Sequence, residues 1–320
     1  MPRHAVLHLE PGFVATEAAA VQDVLRIANR HLGRQAFRLS VTTSSGQALV
    51  ESLSGSLVRA EPLDWKQLRP DHLILGGGLG IVPVLPALMP AITRQRRGGV
   101  QCLFLSDAAA EWARRNAGAD PVTTHWENRD ALEETHPGLT VDGGLYSTYA
   151  GAVTSAGMGS TADLILTSVV APVSADLASA VARSLVIEGI RSGDTAQRPL
   201  EADGLAPGRG RLAPIIRRME ENIETPLRLK DLAAEAGLSV RQVERNFKAV
   251  TGRTPAGYYR WLRLRRGKTL LEQTGLSVLE VAVCCGFSGN CGFSRVFQRE
   301  FGILPSELRR RVKSATANRF

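Results

Sequence analysis

Between Ala233 and Pro305 one residue pattern is written twice, about fifty positions apart. Ala233, Gly237, Leu238 and Ser239 return 49 positions later as Ala282, Gly286, Phe287 and Ser288. Val243, Phe247, Gly252 and Pro255 return 50 positions later as Phe293, Phe297, Gly302 and Pro305, so one residue has been inserted between the two blocks. Each copy predicts a short helix, a turn at the glycine, a serine that accepts from the free N–H groups of the next helix, and that second helix. Gly237 and Gly286 supply the left-handed backbone that ends the first helix. Apolar residues four apart, Val243 with Phe247 and Phe293 with Phe297, turn one stripe of each second helix inward. The pattern is a helix-turn-helix, present twice, with the outer stripe of each second helix free to enter a major groove.

That outer stripe holds Arg241, Gln242, Glu244, Arg245 and Lys248 in the first copy. In the second it holds Asn290, Cys291, Ser294, Arg295, Gln298 and Arg299. Arginine pairs bidentately with guanine, and asparagine or glutamine with adenine, which makes these base-reading candidates on double-stranded DNA. Between the copies, Pro255 to Gln273 sets Tyr258, Tyr259, Leu262 and Leu264 among five basic residues and predicts one long helix. At roughly 1.5 Å per residue it spans roughly 28 Å, comparable with the ~34 Å between successive major grooves. Charge gives independent support: positions 211–320 carry 21 Lys+Arg against 10 Asp+Glu, whereas positions 1–210 carry 18 against 21. A basic segment joined to a mildly acidic one fits a nucleic-acid module attached to something else.

The stretches "LRLKDLAAEAGLSVRQVERNFKAVTGRTPAGYY" and "SVLEVAVCCGFSGNCGFSRVFQREFGILPSELR" resemble the paired units of the AraC/XylS regulators' DNA-binding domain. By that resemblance the base-facing positions fall on Arg241, Glu244 and Arg245, and on Asn290, Cys291, Ser294 and Arg295. There is one departure: Gly289, Asn290, Cys291 and Gly292 stand where relatives carry serine, proline, serine and histidine. Glycine disfavours a helix and offers no side chain, so a looser second reader is expected.

Upstream, apolar runs at His4–Leu9, Phe37–Thr42, His72–Leu75 and Val100–Leu105 alternate with helix-period stretches at Thr16–Arg30, Val82–Arg96 and Asp107–Ala117. Such alternation predicts an α/β flavodoxin-like three-layer sandwich, with any ligand near the carboxyl ends of the strands. Gly76, Gly77, Gly78 and Gly80 lack the lysine and hydroxyl residue of a phosphate loop and predict a close-packed turn. The glycine- and proline-rich "RSGDTAQRPLEADGLAPGRGR" reads as a linker. The expected domains are therefore 1–190, a linker over 191–211, and an all-α domain with two helix-turn-helix units over 212–320.

The order "PGF", "DVLRIANR", "LILGGG", a strand breaking into a helix at Ser106, "TTHWEN" and "VTSAGMGSTADL" resembles the PfpI-like, class I glutamine amidotransferase-like domain. Fused ahead of an AraC-type domain, it is the arrangement of the GlxA subgroup, which includes regulators of carnitine, arginine and betaine catabolism. Enzymatic relatives carry a nucleophilic cysteine at the strand-to-helix turn. Here that turn is Leu105–Ser106, and Cys102 lies inside the strand at an odd offset, facing the opposite side of the sheet. The resemblance implies a pocket that has lost its chemistry and binds a small molecule, lined by Asp23, Ser106, Asp107, His125 and Trp126. Trp126 suits a quaternary ammonium or guanidinium group.

The four cysteines lack zinc or disulfide spacing, no third partner accompanies His4 with His8 or His125 with His136, and no cofactor or metal is expected. No run of eighteen apolar residues or signal core occurs, so a cytoplasmic location without membrane association is expected. The expected function is a sequence-specific transcriptional activator that binds promoter DNA as a homodimer and responds to an amino acid or quaternary amine. The alternative is a PfpI-like hydrolase or amidase.

Overall fold

Three of the four apolar runs, at His4–Leu9, His72–Leu75 and Val100–Leu105, become neighbouring strands buried on both faces, and the run at Phe37–Thr42 pairs beside them with its middle only partly buried. The computed structural model describes residues 2–65, 68–116, 121–197 and 212–317, and the chain divides into two units, one ending at Gln197. In the first unit β1 (Arg3–His8) leads into α1 (Ala15–Leu32), then β2 (Phe37–Thr43), a hairpin of β3 (Leu49–Glu51) and β4 (Leu57–Arg59), and the short β5 (Glu61–Pro62). Next come β6 (His72–Leu75), α2 (Ile81–Arg97), β7 (Gln101–Leu105), α3 (Ser106–Arg115), β8 (Val122–Thr123) and α4 (Trp126–Thr135). The unit closes with β9 (Val141–Asp142), β10 (Tyr146–Tyr149), β11 (Ala152–Ser155), α5 (Thr161–Ile165) and α6 (Ala175–Ser184).

The main sheet has the order β10-β11-β7-β6-β1-β2-β5, parallel throughout except that β10 runs antiparallel to β11. Period-two alternation assigns its residues to two cores. Ala5, Leu7, Ile74, Leu103 and Leu105 pack with α1, α5 and α6 on one face. Val6, Leu73, Leu75, Cys102 and Phe104 pack with α2 and α3 on the other. Cys102 and Leu105 thus lie on opposite faces, and burial raises the Cys102 thiol to about 12. The strand order switches sides between β1 and β6, and the turns leaving these strands meet backbone to backbone. A Cβ on Gly78 would lie 2.2 Å from Gly12 O, and one on Gly80 2.0 Å from Pro11 O. Those glycines are there for close approach, as a close-packed turn requires.

The segment expected to open the linker instead packs on the first unit. Arg191 holds Asp163 through its guanidinium and its backbone N, with Nη2 2.6 Å from Oδ2. Gly193 O accepts from Leu145 N, and Gln197 Nε2 donates to Thr124 O and Gly144 O. A buried Asp163 needs that cation, which explains why a polar, glycine-rich stretch is fixed here. The rest of the expected linker, 198–211, lies outside the described residues.

The second unit is helical: α7 (Ala213–Glu221), α8 (Leu229–Glu235), α9 (Val240–Thr251), α10 (Pro255–Gln273), α11 (Val278–Cys284), α12 (Asn290–Phe301) and α13 (Pro305–Ala317). Ile215, Met219, Leu232, Val243, Phe247, Tyr258 and Leu262 form the core of its first half. In the second half Phe293 packs on α10 at Gly267, where a Cβ would meet the ring at 2.8 Å. No described helix is long and apolar enough to cross a membrane.

Candidate nucleic-acid interface and ligand pocket

The two repeats fold as α8–α9 and α11–α12. Gly237 and Gly286 take φ of 65° and 70°, ending α8 and α11 in the left-handed region. Ser239 caps α9 in a reciprocal box: its Oγ accepts from Gln242 N, and Gln242 Oε1 accepts from Ser239 N at 2.8 Å. The second copy differs. Ser288 does not cap α12; the N-cap is Gly289, with no side-chain hydrogen bond. Gly289 is the inserted residue, and it moves the serine one position away from the helix end. The shift from 49 to 50 in the repeat is therefore a lost cap.

Val243, Phe247, Phe293 and Phe297 are buried, and the faces opposite them carry the predicted readers. Arg241, Glu244, Arg245, Cys291 and Arg295 are exposed. Among the described residues none of Arg241, Arg245 and Arg295 has an ion-pair partner, so their forks are free to pair outside the chain. Three predicted readers are engaged internally. Gln242 gives its oxygen to the cap, and Ser294 Oγ donates to Asn290 Oδ1 at 2.7 Å. Arg263 on α10 donates to Cys285 O and Gly286 O and lies over the Phe287 ring, holding the second turn against the connecting helix.

In the first unit, the strand-to-helix turn at Ser106 has the geometry of a nucleophile elbow. Ser106 has φ of +36°, strained for a non-glycine residue, and is 1% exposed. Its Oγ donates to Glu17 Oε1 at 2.8 Å. Glu17 also accepts from Gly77 N at 2.7 Å and Met158 N at 3.1 Å. Burial raises its carboxyl to about 7, against the three hydrogen bonds that favour the ionised form. Asp107 accepts from Gly78 N at 2.8 Å and Asn128 Nδ2 at 3.0 Å. The loop amides that an acyl-transfer site would aim at an oxyanion, Gly77 and Gly78, are thus both occupied by carboxylates.

The pocket residues predicted from the sequence separate here. Ser106 and Asp107 sit at the elbow, tied to Asn128 and Thr124, whose Oγ1 donates to Ser106 O. His125 caps α4 through Nδ1, its ring 5.5 Å from the half-buried Trp126, and burial lowers its pKa. Asp23 is elsewhere: its side chain is half exposed and paired with Arg26 one turn along α1. The acidic partner of the elbow is Glu17. It was legible as the carboxylate on the apolar stripe of α1, in line with Val21, Val24 and Ala28, whereas Asp23 lies off that stripe.

Residues 232–311 match the helix-turn-helix domain family. The transcriptional regulator CdhR of Pseudomonas aeruginosa is 31% identical over 309 residues, covering 94% of this chain and 90% of that protein. GlxA of Rhizobium meliloti is 28% identical over 324 residues, covering 94% of each. The chain belongs to the GlxA-type AraC/XylS transcriptional regulators. A crystal structure of an AraC family regulator from Pseudomonas putida superposes with a TM-score of 0.51 at 22% identity, over 57% of this chain and all of that one, and shares the fold. This GlxA-type protein is accordingly a DNA-binding transcription regulator with a PfpI-like domain ahead of its paired helix-turn-helix units. Its elbow carries Ser106, and the chain leaves the PfpI-like unit along residues 191–197, anchored at Asp163 and Thr124.

Proposed function

We propose that this regulator reads promoter DNA with Arg241, Glu244 and Arg245 on α9 and with Arg295, assisted by Asn290, Cys291 and Ser294, on α12. Gln242 acts chiefly as a cap. The observation that carries this reading is the set of exposed, unpaired guanidiniums on the outer faces of two matched helices. Arg245→Ala and Arg295→Ala should each weaken binding to a selected duplex by about 1–3 kcal/mol with the fold intact. Unchanged sequence preference in either variant would reject the assigned faces.

The PfpI-like domain acts as a sensor, in the cytoplasm and as part of a homodimer, for a small metabolite such as an amino acid or quaternary amine, and the protein works as an activator. Ser106, Asp107, His125 and Trp126, with Glu17 in place of Asp23, form the sensing region. A binding role is favoured over hydrolysis because Ser106 is buried and both loop amides are already engaged by carboxylates. The route to DNA runs through residues 191–197, because the turn that donates Met158 N to Glu17 also offers Gly159 O to Arg191. A thermal-shift series of amino acids and quaternary amines against the full chain tests the sensor, since a ligand of the native state raises the melting temperature. The stabilising ligand should lose its effect in Trp126→Ala. Turnover of an amide by the wild type that Ser106→Ala abolishes would replace this reading with the enzymatic one.

A further inference from the structure

We propose that Arg253 and Glu300 form a clamp that sets the angle between the two reading helices, so that this regulator discriminates between operators by the spacing of their two half-elements. Arg253 immediately follows Gly252, the C-cap of α9, and Glu300 is the penultimate residue of α12. The two meet as a fork: Nη2 lies 2.8 Å from Oε1 and Nη1 3.3 Å from Oε2. The same guanidinium lies over Trp261 of α10, 5.5 Å from the ring centroid, and Arg265 lies over that ring at 4.7 Å. Thr251 Oγ1 accepts from Arg253 N and fixes the turn that presents it. The pair thus joins the carboxyl-terminal ends of α9 and α12 and braces the join on the connecting helix.

The reading arginines lie towards the other ends. Arg241, Arg245 and Arg295 fall in the first half of their helices, each of 12 residues. Such a helix is roughly 18 Å long, so turning it by roughly 10° about its clamped end carries its first turn by roughly 3 Å, about the ~3.4 Å rise of one nucleotide along the duplex axis. A small change in this joint therefore alters the separation at which both helices enter their grooves. Stability is a poor account of the pair: the two side chains are 41% and 26% exposed, and exposed ion pairs contribute little to folding. What a bidentate fork adds is a fixed geometry.

The test begins with duplexes selected from a random pool by the full-length protein. The selected site is rebuilt with the spacer one base pair shorter, one longer and two longer, and affinities are measured for wild type, Glu300→Arg, Arg253→Glu and the double exchange. Wild type should prefer one spacing. Each single reversal should reduce that preference by about 2- to 5-fold, the bias an exposed ion pair can supply. The affinity of each for a duplex carrying the first half-element alone should stay within about twofold. The double exchange should restore most of the preference, and Glu300→Gln, which keeps the shape, carries the comparison if a reversal does not fold. A wild type indifferent to spacing, single variants with an unaltered profile, or a double exchange no better than its parents would each overturn the clamp. The clamp rests on the reading faces assigned above. Failure of those faces appears separately, as unchanged sequence preference in Arg245→Ala and Arg295→Ala.

Discussion

Replacing Glu17 by glutamine isolates the buried carboxyl that holds Ser106 in the PfpI-like unit. The native carboxyl titrates at about 7, against an ordinary value of 4.5, and the cause is complete burial, opposed by donors from Gly77, Ser106 and Met158. Between 4.5 and about 7 the native state holds a proton that the unfolded chain has released. The contribution to stability is therefore full below 4.5, is lost as pH rises through that window, and levels off above it. The interval corresponds to about 3 kcal/mol at most. His4, His72 and His125 act in the opposite sense, because burial lowers each of them and protonation below the unfolded value costs stability. Wild type alone therefore shows a sum of effects, and the difference between variant and wild type is the useful quantity. Glutamine sets an NH2 against either the Gly77 amide or the Met158 amide and Ser106, a buried mismatch worth about 1–3 kcal/mol at every pH. At pH 5 Glu17→Gln should be less stable than wild type by about that amount, and the gap should close or invert by pH 8. Calorimetry of the full chain resolves this. For a unit of this size roughly 2–4 °C accompanies each kcal/mol, so the difference in Tm should move by roughly 5–12 °C across the range. Parallel curves for the two proteins between pH 5 and 8 would refute the argument.

The two turn glycines occupy equivalent places in the repeat but not equivalent surroundings. Gly237→Ala meets nothing within 4 Å and should cost only the left-handed penalty, about 1–2 kcal/mol, whereas a Cβ on Gly286 lies 2.6 Å from Glu224 O and 2.7 Å from Ile223 O. Gly286→Ala should therefore lower the melting temperature of the helical unit well beyond Gly237→Ala, and equal melting shifts would contradict the packing. Gly292 is exposed inside α12 with open space where a Cβ would go, so Gly292→Ala should stabilise that unit by about 0.5–1 kcal/mol in denaturant unfolding.

How much of this was legible in the sequence depended on whether a residue's role is local. The strand at His72–Leu75 and the helix at Pro255–Gln273 were readable to the residue because uninterrupted apolar character in the one, and tyrosines and leucines spaced among basic residues behind Pro255 in the other, are local signals. A sheet covered on both faces was expected from the alternation of strands and helices, whereas its strand order was not read from the sequence. Glu17 was passed over because its meaning is non-local: its partners at Gly77, Ser106 and Met158 lie 60, 89 and 141 positions away. Asp23, only six residues on, satisfies the same compositional expectation while facing solvent. Arg191–Gln197 was misread for the same reason, since glycine and charge signal a linker unless a buried Asp163 is waiting for the cation.

The helix-turn-helix pair shows how one inserted residue changes a reading unit without disturbing its core. Phe293 and Phe297 remain buried as Val243 and Phe247 are, so the inner face of α12 is conserved in kind. At its outer end, however, α9 begins with a reciprocal Ser239–Gln242 cap, while α12 begins at Gly289 with no side-chain partner and carries Gly292 in its first turn. A capped end holds Arg241 and Arg245 in defined directions. The uncapped end leaves Asn290 to find its own donor in Ser294, and leaves the amides of the first turn without a side-chain acceptor. Free amides at a helix N-terminus suit a phosphate oxygen, which favours backbone contact over base discrimination at that turn. Base discrimination should accordingly be concentrated under α9, with Arg295 the principal reader on α12. In a selected operator, the half-element under α9 should then tolerate fewer substitutions than the half-element under α12, and equal tolerance would show that the missing cap has no bearing on recognition.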